Sequence, residues 1–402
     1  MISKLNQTIP FSLTSPEFLR NPYPYYDKLR SIHPVYWVNS LKYPGWYVTG
    51  YEEAIAILKD TRFKNRIPLP QTSNKYENLK NLQNDMMLFK NQLDHKRLRM
   101  LVSKVFTPRI VEGYRPYINE TVNDLLNQVK DKKKMDVVSD YAFPLASLII
   151  AEILGVPAEE RFQFREWTAS LIQTIDFTRT RKALANGNET TIKLLDYFRE
   201  LIKKRKHNPQ DDLISMLIKE EQHGGKLTDE ELLATCILLV IAGHETTVNL
   251  ISNSMFALLN QPQQLMKLKK NPALIEMAVE EFLRYESPTQ MTARIASEDI
   301  NMNSATIKKD EQVYILLGAA NRDPKKFFNA NELDITRNPN PHLAFGYGVH
   351  FCLGSLLARI EAQIAIHTLL ERMPNLQIAS SELQWRKLIG FRSLLELPLT
   401  FN

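Results

Sequence analysis

Hydrophobic positions along the chain fall mostly at helical spacing. From Ile110 the apolar residues Tyr114, Ile118, Val122, Leu125, Leu126 and Val129 recur at three- and four-residue steps, one face of an amphipathic helix. Leu353 to Arg372 repeats this, with Leu356, Leu357, Ile360 and Ile364 on one side. Leu232 to Ala242 is apolar apart from Thr235, then meets His244 and Glu245. That run is too short and too polar to span a bilayer, so it predicts a buried helix. Thr228-Asp229-Glu230-Glu231 ahead of it has the form of a capping box, with Thr228 as N-cap and Glu231 answering three residues later.

A minority of runs read as extended. Val35 to Val38 and Trp46 to Thr49 are β-branched and aromatic, with Pro44-Gly45 before the second, which predicts a hairpin. Ile300 to Ile307 and Val313 to Leu317 flank the turn-like Lys308-Lys309-Asp310-Glu311, and Leu395 to Phe401 also reads as a strand. There is no internal repeat and no Pro/Ser/Gly-rich linker. The pattern implies one domain over residues 1–402, mainly α with a minor β part.

Composition narrows this. With 402 residues, 44% hydrophobic, a large core is within reach. Thirteen glycines are too few for the turn punctuation of an all-β fold. Two cysteines argue against a disulfide framework and fit a reducing cytoplasm. Met1 to Pro10 is polar and lacks a signal pattern, so no membrane span or export is expected. The net charge of +6 is spread along the chain without a nucleic-acid motif. It suits acidic protein partners, and equally a merely solvated basic surface.

The richest chemistry lies in Phe345-Gly346-Tyr347-Gly348-Val349-His350-Phe351-Cys352-Leu353-Gly354. Glycines permit tight bends. Cys352 follows where the loop becomes a helix, and free N–H groups there favour a thiolate. A thiolate in a dry pocket is a strong ligand for haem iron. From the residues alone, a core cysteine or the nucleophile of a cysteine hydrolase or acyltransferase fits as well. Glu245 and Thr246 lie mid-helix in an otherwise apolar stretch, where a buried carboxylate is costly unless partnered. Glu281 and Arg284 are spaced to share a helix face.

This loop resembles the haem-binding loop of the cytochrome P450 family. Ala242-Gly243-His244-Glu245-Thr246-Thr247 is similar to that family's oxygen-activation motif, and Glu281-Phe282-Leu283-Arg284 to its ExxR motif. Ala320 to Pro324, Asn338 to His342 and His95 to Arg99 resemble further family segments. The resemblance implies the cytochrome P450 fold, a helical bundle around haem b with small β-sheets. It implies Cys352 as iron ligand, with His95, Arg99, Arg294, His350, Phe345 and Gly346 holding the cofactor. Thr246 and Glu245 would carry the catalytic role of delivering protons to bound O2. Glu281, Arg284 and Arg337 would form a structural network. Cys236 is expected to be core.

Three further segments, Lys42 to Tyr51, Leu171 to Arg179 and Tyr285 to Arg294, resemble the bacillar branch of the family that serves biotin biosynthesis. That branch oxidises and cleaves a long acyl chain on acyl carrier protein to give a pimeloyl thioester. Met86, Met87, Leu88, Ile172, Ile175, Leu238, Leu239, Ala242, Met291 and Phe391 are the candidate substrate pocket, ordinary core packing being the plain alternative. Arg179, Arg181 and Lys182, and Lys203 to Lys206, are candidate contacts for the acidic carrier. His95 to Arg109 holds five Lys/Arg and no acid, which suits a flavodoxin or ferredoxin served by its own reductase. A monomer is expected. Hydroxylation of free fatty acids, steroids or a polyketide, and non-catalytic haem or ligand binding, are the rival functions.

Overall fold

The structure is a computed structural model that describes residues 12–39, 43–65, 74–222, 227–302 and 305–402. The reading of Met1 to Pro10, and Lys42 of the quoted segment, lie outside the described residues. In chain order the elements used below are strands β1 (Val35–Val38), β2 (Gly45–Val48) and β3 (Phe63–Lys64); helices α1 (Gln92–Ser103) and α2 (Arg115–Lys130); β4 (Lys134–Asp136); and α3 (Phe143–Ile153), α4 (Phe164–Ile175), α5 (Arg181–His207), α6 (Asp229–Leu259) and α7 (Ile275–Tyr285). Strands β5 (Met291–Ala296), β6 (Ile300–Met302), β7 (Ala305–Ile307) and β8 (Gln312–Leu316), helix α8 (Ser355–Arg372), and strands β9 (Gln377–Ile378) and β10 (Pro398–Thr400) complete them.

The chain divides into two compact units, neither of them a continuous run. The first takes the described residues of 1–67 with 253–352 and 382–395. It holds a five-stranded sheet in the order β1-β2-β8-β5-β3. The expected hairpin is β1–β2, antiparallel with Val35 opposite Val48 and Trp37 opposite Trp46. Beside it β2 runs parallel to β8, Trp46 against Val313. Gly45 enters β2 at φ +152°, and a Cβ there would lie 2.7 Å from the Gln312 carbonyl oxygen, so only glycine fits. Trp46, Val48, Phe63, Val313 and Ile315 sit in the buried core of this unit. Ile300 to Ile307 is not one extended run: β6 and β7 fold back on each other, Ile300 opposite Ile307. Asn303 and Ser304, between the two strands in sequence, lie outside the described residues.

The second unit takes the described residues of 68–252 with 353–381 and 396–402. Its helices follow the hydrophobic pattern. Ile118, Val122, Leu125, Leu126 and Val129 form the buried face of α2. The expected helix from Ile110 is broken, however: Pro108–Gly113 is a separate short helix, and Tyr114 caps α2. Helix α8 starts at Ser355 rather than Leu353, with Gly354 at its N-cap. The capping box forms as spaced: Glu231 N–H donates to Thr228 Oγ1 and Thr228 N–H to Glu231 Oε2, both at 3.2 Å. Part of the C-terminal tail, β10, lies antiparallel to β4 and β9. Among the described residues α6 is the one helix long and apolar enough to cross a membrane, and 83% of its apolar window is buried inside the protein.

Candidate active site

In the first unit the cysteine loop is pinned at several points. Cys352 N–H donates to Phe345 O at 2.9 Å and Gly346 N–H to Leu343 O at 2.9 Å. Gly348 has φ +73°, and a Cβ there would lie 2.9 Å from Leu58 O. Phe345 packs its ring 6.2 Å from Phe351. Cys352 is half-buried and stands two residues before the Gly354 cap, so α8 begins later than the spacing implied. Cys236 is fully buried in α6, and burial pushes its thiol far up, which suits core packing and not ligation.

Behind the loop, Glu281 and Arg284 of α7 are both fully buried and pair bidentately, at 2.7 Å for each bond. Arg337 Nε donates to the same carboxylate at 3.1 and 3.2 Å, as do Asn340 Nδ2 at 3.1 Å and the Asp334 N–H at 2.9 Å. The remaining Arg284 donors reach the carbonyls of Asn321, Ala330 and Glu332. A buried ion pair is tolerable only when its hydrogen-bonding capacity is filled in this way. One carboxylate thereby fastens the segments that lead into the cysteine loop.

Arg294 of β5 is 5% exposed and donates to Asn65 Oδ1 at 2.9 Å and to Ala293 O at 2.8 Å. No carboxylate of the described residues pairs with it, and burial pulls its guanidinium down to about 10. Asn65 Nδ2 also lies 3.3 Å from His350 Nδ1, so Asn65 orients both residues. Nothing in the sequence marks it: an asparagine after the two-residue strand β3 carries no motif. A buried cation without an anionic partner is costly, and a haem propionate would relieve it.

In the second unit, His95 and Arg99 share a face of α1 one turn apart. Burial, then the Arg99 charge, pulls the His95 imidazole below its usual range. Along α6 most residues are buried, yet Leu239, Gly243 and Thr246 are half-buried and Ala242 is exposed. Leu239, Ala242 and Thr246 follow helical spacing and form one open stripe in a core helix, with Gly243 at its edge against Ile150. Thr246 Oγ1 donates to Ala242 O at 2.7 Å, inside that stripe. Glu245 is 4% exposed and accepts from Asn249 Nδ2 at 3.4 Å.

The pocket candidates divide. Met86, Met87, Ile172, Leu238 and Met291 are buried, while Ile175, Leu239 and Phe391 are half-buried and Leu88 and Ala242 exposed. The two basic clusters divide as well. Lys204, Arg205 and Lys206 occupy the last turn of α5, where cations are favoured. Arg205 pairs with Asp212, and Lys206 with Asp229 at 2.8 Å, so helix stability explains this cluster. Arg181 and Lys182 are exposed in the first turn, where the dipole disfavours positive charge, and helix stability does not explain them. In the α1 region Arg97 pairs with Glu231 and Lys104 with Glu220, leaving Lys96 and Arg109 exposed.

A helical chain with a pinned cysteine loop, a buried Glu–Arg–Arg network and an opened threonine-bearing core helix has the make-up of a haem-thiolate oxygenase. The chain belongs to the cytochrome P450 family, whose model matches residues 5–374. It is a monooxygenase that uses haem held by a cysteine thiolate. It is similar to the biotin biosynthesis cytochrome P450 of Bacillus subtilis, with 64% identity over 98% of this chain and 100% of the relative. The crystal structure of P450BioI in complex with acyl carrier protein ligated to hexadec-9Z-enoic acid matches with a TM-score of 0.93 over 96% of this chain and 100% of that one. The polyketide biosynthesis cytochrome P450 PksS of Bacillus subtilis is 38% identical over 96% of this chain and 97% of its own length.

Proposed function

We propose that the chain oxidises and cleaves a long acyl chain presented on acyl carrier protein, releasing a pimeloyl thioester for biotin biosynthesis. The 64% identity to a biotin biosynthesis relative over nearly the whole length carries this reading. The solved relative bound to an acylated carrier protein supports it from the partner side. Arg179, Arg181 and Lys182 would meet the acidic carrier, because two of them are placed against the helix dipole without internal cause.

Haem bound through a thiolate supplies the power to insert oxygen into an unactivated methylene. Cys352 would supply that thiolate. Arg294, His350, His95 and Arg99 would hold the propionates, and Phe345 and Gly346 would lie against the ring. The buried charge of Arg294, with no carboxylate partner among the described residues, fits this, as does the open stripe on α6, where Thr246 would hold and pass a proton with Glu245 behind it. Glu281, Arg284 and Arg337 would keep the cysteine loop in shape without touching substrate. Met86, Met87, Leu88, Ile172, Ile175, Leu238, Leu239, Ala242, Met291 and Phe391 would line the acyl channel, so that a bent chain presents its middle carbons. Two adjacent carbons would be oxidised in turn and the bond between them broken. Electrons would come from a separate flavodoxin or ferredoxin in the cytoplasm.

Incubation with long-chain acyl carrier protein, oxygen and a reducing pair tests this. A seven-carbon diacid thioester is expected. Hydroxylated but uncleaved chains, from carrier-bound and free fatty acid alike, would contradict it.

A further inference from the structure

His244 is fully buried in α6, on the side of the helix away from the open stripe. Its Nδ1 lies 2.9 Å from the Val240 carbonyl oxygen, and its Nε2 contacts Ser147 Oγ of α3. A carbonyl only accepts, so Nδ1 carries the proton and donates to Val240. Burial pulls this histidine down to about 4, so the ring is neutral and Nε2 is left as an acceptor. Ser147 therefore donates to Nε2. Phe143 of α3 packs its ring 5.4 Å from the imidazole, and a Cβ at Gly243 would already touch Ile150 of α3 at 3.1 Å. Phe143, Ser147 and Ile150 form one stripe of α3 against residues 243 and 244.

We infer that the Ser147–His244–Val240 hydrogen-bond chain is a positioning device that fixes the roll of α6 and so aims Thr246 into the open stripe. Residues 244 and 246 stand roughly 200° apart around the helix, so an anchor at one sets the direction of the other. An apolar side chain at 244 could fill the same space but would make no directional bond to Ser147. Two side chains load the same turn of the ladder, His244 at the Val240 carbonyl and Thr246 at the Ala242 carbonyl. The anchor keeps that doubly bonded turn in one geometry.

The inference rests on the role given to Thr246, and the experiment separates the two. Coupling, the product formed per electron pair consumed, is measured for Thr246→Ala, Ser147→Ala and His244→Phe. Electrons that miss the substrate leave as hydrogen peroxide, each O2 taking two electrons and two protons. Ser147→Ala and His244→Phe should lower coupling by roughly three- to tenfold, with substrate affinity, read from the haem absorption shift, unchanged. Should His244→Phe fail to fold, Ser147→Ala carries the test alone. Nitrogen-labelled histidine NMR of the reduced, carbon monoxide-bound protein should show His244 neutral and protonated at Nδ1. Unchanged coupling in Ser147→Ala beside uncoupling in Thr246→Ala, or an Nε2-protonated ring, would overturn the inference. Unchanged coupling in Thr246→Ala would instead overturn the role of Thr246.

Discussion

At the scale of single residues, Arg294 is the sharpest case of a side chain out of balance with its own fold. It is 5% exposed, pulled down to about 10 by burial, and has an amide, a hydroxyl and a carbonyl where a carboxylate would be expected. Its cost is borne by the haem-free chain and recovered when an anion arrives. Arg294→Met should therefore raise the melting temperature of the haem-free protein while weakening haem retention by roughly tenfold or more. Thermal melts with and without haem, and haem transfer to apomyoglobin, check this. A fall in both would contradict it. Arg294, His350 and Cys352 were singled out as site candidates through their resemblance to family motifs. Asn65 and Ser147 carried no such mark, because their hydrogen bonds to Arg294, His350 and His244 depend on which segments meet in space.

At the scale of elements, local rules were readable where a single helix end decided them, as in the Thr228–Glu231 box. They were misread where a break sat inside a regular pattern. The Ile110 run concealed the end of one helix and the start of another, although Gly113 and Pro116 flank the break as a helix end and a first-turn proline should. Helix α8 holds a carboxyl that no pattern disclosed. Glu361 is 3% exposed, and its Oε2 finds no hydrogen-bond partner among the described residues. Burial raises its pKa well above the usual carboxylate range. The folded state thus keeps a proton that the unfolded chain releases once pH passes the ordinary value of 4.5. Its contribution is fully present below that pH and is lost as pH climbs toward the raised value. Glu361→Gln should match the parent in acid and exceed it in urea midpoint increasingly toward neutral and alkaline pH. A constant difference across pH would contradict this.

At the scale of the whole molecule, composition bounded the class and the motif order supplied the family, while the division into two interleaved units was not visible in sequence. Each unit is assembled from distant segments, and two of the boundaries fall within α6 and directly after Cys352, where no linker composition marks them. The net charge of +6 bears on partners. With Arg97 and Lys104 paired internally, Lys96 and Arg109 are the exposed cations that an acidic electron donor, as proposed above, would meet. The rate of reduction by flavodoxin should fall as salt shortens the screening length from about 30 Å at 0.01 M to about 10 Å at 0.1 M. Lys96→Glu should flatten that dependence, and a salt-independent rate in the parent protein would contradict the docking surface.

Carbon monoxide added to the reduced protein measures the iron–sulfur bond itself. The parent protein should show the red-shifted absorption band that thiolate-ligated haem gives, and Cys352→His should bind haem yet lose that band. A parent spectrum without the band, or a Cys352→His spectrum that keeps it, would contradict Cys352 as the ligand.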